Sequence, residues 1–322
     1  MEKNLLLEVK DLEVHFRLRR GMLKAVDGIS FSVKEGESFG LVGESGSGKS
    51  VTAQSILRLI SSPPASFQGK ILFEGEDVLK KAEKEMLSIR GKKISMIFQE
   101  SISSLNPVYT IGEQILETLR IHHNLKRKEA LEQTVEMLRI VGISSSRERL
   151  NSYPHEFSGG MRQRVCIAMA LSCQPSFLIA DEPTTFLDVT IQKQILDLLK
   201  GEIKRRQMGL IFISHDLIIV GQMCQRLGVM YAGNLLEVGN SLSILQNPQH
   251  PYTIGLINSR PKRGEKDDLH PIRGMVCSLI EPPQGCKFHP RCNYVQKPCM
   301  EETPKLKTIG EDHQIACHAV GA

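Results

Sequence analysis

Gly43-Glu44-Ser45-Gly46-Ser47-Gly48-Lys49-Ser50 decides how this chain is read. An apolar run, Phe39-Gly40-Leu41-Val42, leads into it, and Val51-Thr52-Ala53-Gln54-Ser55-Ile56-Leu57 follows with helical character. A strand, a glycine-rich turn and a helix start are the setting in which G-x-x-x-x-G-K-[ST] works as a phosphate loop. The glycines let successive backbone N–H groups converge on a phosphate, and the helix N-terminus adds partial positive charge. Lys49 is expected to reach the β- and γ-phosphates, and Ser50 to place its hydroxyl on Mg²⁺. Glu44, Ser45, Ser47 and Val51 complete the lining of this expected nucleotide site.

Composition narrows the classes. A chain of 322 residues with 41% hydrophobic and 24% charged residues is an ordinary globular one, long enough for two lobes or domains. Its net charge of +5 is mild, and no Lys/Arg block is interleaved with aromatics, so no nucleic-acid partner is expected. No apolar stretch is long enough to span a membrane, and Met1-Glu2-Lys3-Asn4 does not begin a secretory signal. The expectation is a cytoplasmic chain whose membrane role depends on partner chains. Five of the 8 cysteines lie beyond residue 276, which in a reducing compartment suggests metal more than disulfide.

Working outward from the loop, Leu5 to Val33 alternates apolar and polar residues. That pattern predicts antiparallel strands broken at Arg19-Arg20-Gly21 and Asp27-Gly28. Strands are expected at Lys70–Phe73, Ile94–Phe98, Phe177–Ala180, Leu210–Ser214, Leu227–Ala232 and Leu235–Val238, with a short helix over Ala82–Ile89. Ile111, Ile115 and Leu119, then Leu131, Val135 and Leu138, fall at helical spacing and predict a helical lobe within about 100–172. Strands alternating with helices predict an α/β core with a mainly parallel sheet.

Two further stretches carry chemistry. Phe177-Leu178-Ile179-Ala180-Asp181-Glu182 is an apolar strand ending in acids; Asp181 suits Mg²⁺ and Glu182 suits a general base for water. Ser158-Gly159-Gly160-Met161-Arg162-Gln163 precedes the apolar Val165–Leu171 and reads as an anion site at a helix start, or as a serine N-cap with a flexible glycine pair.

In the order phosphate loop, Gln99, Ser-Gly-Gly-x-x-Gln, Asp-Glu and Ser214-His215-Asp216, the chain resembles the ATP-binding cassette (ABC) ATPases over essentially its whole length. More closely, Ser104-Leu105-Asn106-Pro107, Phe157–Gln163, Asp181-Glu182-Pro183-Thr184-Thr185, His250-Pro251-Tyr252-Thr253 and Gly285-Cys286-Lys287-Phe288-His289-Pro290-Arg291-Cys292 look like the ATP-binding subunits of dipeptide and oligopeptide permeases. Nickel and other small-solute members share these motifs. The resemblance implies an α/β nucleotide-binding domain over 1–258. It would combine a phosphate-loop core sheet, an antiparallel β subdomain and an α-helical subdomain, followed by a small cysteine-containing extension over 259–322.

It further implies an importer's ATP-hydrolysing motor at the cytoplasmic face of the inner membrane. Two transmembrane permease subunits, a second and different ABC ATPase subunit and an extracytoplasmic solute-binding protein would complete the system. A soluble ABC protein outside transport is the alternative. By the family's roles Phe16 stacks on adenine, with His15 adjacent. Gln99 touches Mg²⁺ and the attacking water, and the loop after it, Ser101–Pro107, meets a membrane subunit. His215 contacts the γ-phosphate, and Asp188 belongs to a loop between two ATP sites. Ser158, Gly159, Gly160 and Gln163 complete the partner subunit's ATP site. Phe186 departs from the small residue usual before Leu187-Asp188, and Cys166 stands where a larger apolar residue is usual in the helix after Ser158.

Cys286, Cys292, Cys299 and Cys317 are expected to bind one metal centre, the first three at C-x₅-C-x₆-C spacing. Four thiolates suit tetrahedral Zn²⁺ or a [4Fe–4S] cluster. Tight C-x₂-C pairs are absent, and the resemblance implies the iron–sulfur cluster. If zinc is the metal, His289, His313 or His318 could replace a cysteine. Cys166, Cys173, Cys224 and Cys277 are left out.

Overall fold

Apolar–polar alternation from Leu5 onward gives a long hairpin in the computed structural model, β1 (Leu5–Leu18) against β2 (Gly21–Lys34). The structure describes residues 4–99, 104–185, 187–259, 271–310 and 312–320. The hairpin turns after Leu18 as expected, but Asp27-Gly28 does not break β2. Leu12 pairs with Ile29 and Glu13 with Asp27, which leaves Gly28 as an extra residue. Its φ of 79° lets the strand bulge and continue.

The chain divides into two compact units, one of Met1–Lys34, Ser38–Leu79 and Phe212–Ala322, the other of Glu35–Glu37 and Lys80–Ile211. In the first unit the hairpin is followed by β3 (Ser38–Val42), α1 (Lys49–Ile56), β4 (Ala65–Phe73) and β5 (Glu76–Asp77). Strands order β2-β1-β4-β5 in an antiparallel sheet, and Leu7, Val9, Leu12, Val14 and Ile71 are buried in it.

The second unit holds α2 (Glu83–Ile89), β6 (Ile94–Ile97), α3 (Ile111–His123), α4 (Arg127–Ile140) and α5 (Ser146–Arg149). It continues with α6 (Gly159–Ser172), β7 (Phe177–Asp181) and α7 (Val189–Arg206). Strands β6 and β7 pair in parallel, Ile94 with Phe177 through Ile97 with Ala180. Thr110 and Glu113 cap α3 reciprocally, and Ile111, Ile115 and Leu119 form its buried face, the stripe their spacing predicts. Helices α3, α4 and α6 pack on one another.

The chain returns to the first unit within β8 (Gly209–Ser214), then forms α8 (Leu217–Met223), β9 (Arg226–Tyr231), β10 (Asn234–Asn240), α9 (Ser241–Gln246) and α10 (Pro251–Asn258). Beyond these lie α11 (Lys297–Glu301), β11 (Lys307–Gly310) and β12 (His313–Ile315). Within this unit the order runs β11-β12-β10-β9-β3. Only β3 and β9 are parallel there; β9–β10, β10–β12 and β12–β11 are antiparallel. The mainly parallel sheet expected from the sequence is therefore mixed. The cause is local: Ala232 and Gly233, at φ 46° and 83°, join β9 to β10 through a two-residue hairpin, which needs left-handed backbone at both positions. The C-terminal strands β11 and β12 extend the same edge.

Candidate active site and cysteine cluster

Backbone shape makes the phosphate loop. Gly43 has φ 156°, and a Cβ there would lie 2.1 Å from the Met230 carbonyl oxygen; at Gly48, φ 102°, a Cβ would lie 2.5 Å from that of Ala25. Only glycine fits either place. Gly48 caps α1, whose first turn carries no acid, leaving the helix N-terminus open to an anion. Lys49 is buried, its Nζ donating to the carbonyls of Gly43 (2.8 Å) and Glu44 (3.0 Å) and to Ser47 Oγ (3.2 Å). Ser50 and Glu44 are half-buried, and Ser45 and Gly46 are exposed.

The other expected residues of this unit are fixed locally. Phe16 is half-buried on β1, paired with Leu23 and Ala65. His15 instead turns to Asp27 (3.4 Å) and Glu13 (3.8 Å). His215 is exposed just past β8. Its neighbours brace it: Ser214 Oγ accepts from the Asp216 N–H at 3.0 Å, and Asp216 Oδ1 caps α8 by accepting from the N–H groups of Ile218 and Ile219.

In the second unit, Asp181 is buried at the end of β7. Glu182 follows at φ 44°, a left-handed conformation costly for a non-glycine residue and often found at functional sites. Its Oε2 accepts from Thr185 Oγ1 (2.9 Å) and from Gln99 Nε2 (3.3 Å), so the structure joins two residues that the sequence separates widely. Thr185 was not singled out by sequence, although the quoted Asp181–Thr185 run contains it. Ser158 is exposed and caps α6, its Oγ accepting from the Met161 N–H. The N-cap reading of this serine therefore holds, and its side of the loop remains open alongside Gly159, Leu187 and Asp188. Gln163, by contrast, is buried. Asp188 caps α7 through the Ile191 N–H at 2.9 Å. Phe186 lies outside the described residues. Cys166 is buried, and burial pushes its thiol up to about 12, consistent with packing alone.

Gln114, buried in α3, pins the segment after Gln99: its Oε1 accepts from the Asn106 N–H (2.9 Å), and its Nε2 donates to the carbonyls of Asn106 and Tyr109 (3.0 Å each). Val108 and Tyr109 are left 72% and 54% exposed on that braced turn. Residues 101–103 lie outside the described residues.

Cys286, Cys292, Cys299 and Cys317 line one small cavity with His250, His289 and His318. Burial raises the Cys286 thiol to about 11, and the charges of the other three add to this. Backbone N–H groups of Tyr294 and Gln296 donate to the sulfurs of Cys292 (3.3 Å) and Cys299 (3.5 Å). His313, a candidate alternative ligand, is bonded to Glu237 at 2.8 Å instead. His250 was missed by sequence. It caps α10 by accepting the Tyr252 N–H on Nδ1, and burial lowers its pKa to about 4. Cys277 lies apart, with Tyr231 as its neighbour.

Among the described residues no helix is long and apolar enough to cross a membrane. Residues 26–185 match the ABC transporter family, and residues 236–299 match the family described as oligopeptide/dipeptide transporter, C-terminal region. A protein of Sinorhizobium fredii called "probable peptide ABC transporter ATP-binding protein" is 49% identical over 98% of this chain and 95% of its own length. The oligopeptide transport ATP-binding protein OppD of Bacillus subtilis is 47% identical over 96% of this chain and 87% of its own. Among solved structures, cbiO1 of Clostridium perfringens, part of the ABC transporter complex cbiONQ, superimposes with a TM-score of 0.65 at 26% identity. That match covers 76% of this chain and 92% of cbiO1. With the phosphate loop, the strand-end acids and the serine-capped glycine pair all in place, this chain belongs to the ATP-binding subunits of the peptide-type ABC transporters, and it is an ATPase.

Proposed function

We propose that this chain is the motor of a peptide importer, working at the cytoplasmic face of the membrane. The observation that carries the proposal is Glu182, held at a left-handed φ and bonded to Thr185 and Gln99. Such a carboxylate can orient water and take its proton. Phosphoryl transfer asks mainly for positioning and charge stabilisation. Backbone N–H groups of the phosphate loop and Lys49 grip the β- and γ-phosphates, Phe16 stacks on adenine, and His215 meets the γ-phosphate. The donors named for Mg²⁺, Ser50, Gln99 and Asp181, all offer oxygen, which is what that ion takes. When bound it neutralises charge on the β- and γ-phosphates.

Ser158, Gly159, Gly160 and Gln163 complete the ATP site of a second, different ATPase subunit, so that ATP holds two chains together until Glu182 allows it to be cleaved. Of the two permease subunits, one docks a cytoplasmic helix on this chain near Gln99 and Ser101–Pro107, beside the turn that Gln114 braces and its exposed Val108 and Tyr109. Cargo is delivered by an extracytoplasmic solute-binding protein. Peptide is favoured over nickel or another small solute because both quoted relatives are named for peptide or oligopeptide transport. Cysteines engineered at Val108 and Tyr109 should crosslink to a permease subunit in the assembled complex. Crosslinks only from distant surfaces would place the dock elsewhere.

The extension over 259–322 is proposed to hold one metal centre on Cys286, Cys292, Cys299 and Cys317. The donor set fits, since four thiols, those of Cys286 and Cys299 buried and those of Cys292 and Cys317 half-buried, line one cavity, and two of them receive backbone N–H bonds, a feature that tunes iron–sulfur clusters. A [4Fe–4S] cluster is favoured over Zn²⁺, in a structural role, because the C-x₅-C-x₆-C spacing lacks the tight C-x₂-C pairs of zinc ribbons and because the resemblance to dipeptide and oligopeptide permeases implies the cluster. Protein purified without oxygen should be brown with about four irons per chain, and Cys292→Ser should bleach it. Colourless protein with stoichiometric zinc would overturn the cluster and keep the four-cysteine site.

A further inference from the structure

Glu44, the second residue of the phosphate loop, is bound at three points. Its carboxylate receives a two-pronged contact from Arg291, Nη1 to Oε2 at 2.7 Å and Nη2 to Oε1 at 3.1 Å. Its backbone N–H donates to Tyr252 Oη at 2.9 Å, and its carbonyl accepts from Lys49 Nζ at 3.0 Å. Two of the three anchors come from the far C-terminal side of the chain. Arg291 is itself locked. Its side chain is 5% exposed, its Nε donates to the Arg273 carbonyl at 2.9 Å, and its guanidinium lies 5.7 Å from the Tyr231 ring centre. Tyr252 is fully buried, and Phe288 packs against both tyrosine rings.

Ser45 and Gly46, next along the loop, are exposed, and a Cβ at Gly46 would meet nothing within 4 Å. The leading arm of the loop is therefore steadied at Glu44. Because the phosphate grip is made of backbone N–H groups, its strength depends on where that arm points. Bidentate guanidinium–carboxylate contacts fix orientation as well as distance.

We propose that Arg291 is a positioning residue of the nucleotide site, holding the phosphate loop through Glu44 so that the C-terminal segment sets nucleotide affinity. The proposal rests on the loop's grip on the nucleotide and is independent of any metal. Arg291 touches no phosphate; it acts through Glu44.

The test is calorimetric titration of the full-length chain with MgADP, beside ATP hydrolysis by the assembled complex. Arg291→Ala should raise the MgADP Kd about tenfold, the worth of one charge-assisted contact in a binding constant. Arg291→Lys should fall between it and wild type, since an ammonium makes one contact where the fork makes two. Glu44→Gln should match Arg291→Ala, and the double variant should be no worse than either single one, as partners in one contact demand. In hydrolysis Arg291→Ala should raise the KM for ATP with kcat unchanged, a split that mere loss of stability would not give. If Arg291→Ala fails to fold, Arg291→Lys and Glu44→Gln carry the test. A Kd within about twofold of wild type in the variants that fold, or effects that simply add in the double variant, would overturn the proposal. A wild-type chain that fails to bind MgADP would overturn the loop's role, and this proposal with it.

Discussion

The phosphate loop and the cysteine cluster, both in the first unit, are built on opposite plans. Eight consecutive residues shape the loop, and most of its grip is main chain, so glycine geometry at Gly43 and Gly48 decides it. The cluster draws its donors from four positions between Cys286 and Cys317, each supplying a side chain to one cavity. A main-chain site tolerates side-chain changes and fails when a φ is denied. A side-chain site tolerates backbone variety and fails when one atom is replaced. The strand-end acids of the second unit combine the two plans: Glu182 is a side-chain group placed by an unusual φ.

The largest expected effect tests that combination. Glu182→Gln keeps shape and loses the base, so ATP turnover should fall roughly 10²–10⁴-fold while nucleotide binding persists and an ATP-bound dimer accumulates. Near-normal hydrolysis would remove Glu182 from the role given to it.

His250, which lines the cysteine cavity, offers a pH-dependent contrast with the phosphate loop. Burial holds its folded pKa at about 4, below the ordinary value of about 6.5. Between those values the unfolded chain binds a proton that the folded chain refuses, so stability falls as pH drops through this window. The loss should approach about 3 kcal/mol by pH 4. Denaturant melts of wild type and His250→Asn, which keeps a capping acceptor, should diverge over this range, wild type being the steeper. Parallel curves would show that His250 does not carry the effect.

Gly48→Ala against Ser45→Ala separates main chain from side chain within one loop. Forcing a Cβ into the space beside the Ala25 carbonyl should cost about 1–3 kcal/mol, read as a Kd for MgADP raised about fivefold or more. Ser45→Ala should stay within about twofold of wild type. Equal effects would contradict a backbone-built grip. Smallest is Ser158→Ala, which loses an N-cap worth about 1 kcal/mol in thermal melts of the isolated chain. In the assembled complex it should cost activity as well if Ser158 serves the partner's ATP site as proposed; activity unchanged beyond the loss of stability would remove it from that role.

Contiguity decided what could be read from sequence. Gly43–Ser50 and the Ile111, Ile115, Leu119 stripe are local patterns, and the structure bears out both the loop's backbone and the helix face. Asp27-Gly28 misled because a glycine after an aspartate looks the same whether it ends a strand or makes a bulge. The antiparallel edge formed by β10, β12 and β11 depends on the turn at Ala232-Gly233, where an alanine occupies a left-handed position that composition does not reveal. The Glu44–Arg291 fork and the Tyr252 bond link residues more than 200 positions apart. Their only signal was membership in the quoted runs His250–Thr253 and Gly285–Cys292, which named the residues without saying what they touch. His313 followed the same logic in reverse: near Cys317 in sequence, it is taken by Glu237.

The central claim, an ATP-driven peptide motor, is tested most directly by labelled oligopeptide uptake in vesicles carrying the assembled complex. Uptake should require ATP on the side that bears this chain and should stop with Glu182→Gln. Peptide accumulation without ATP, or undiminished in Glu182→Gln, would contradict it.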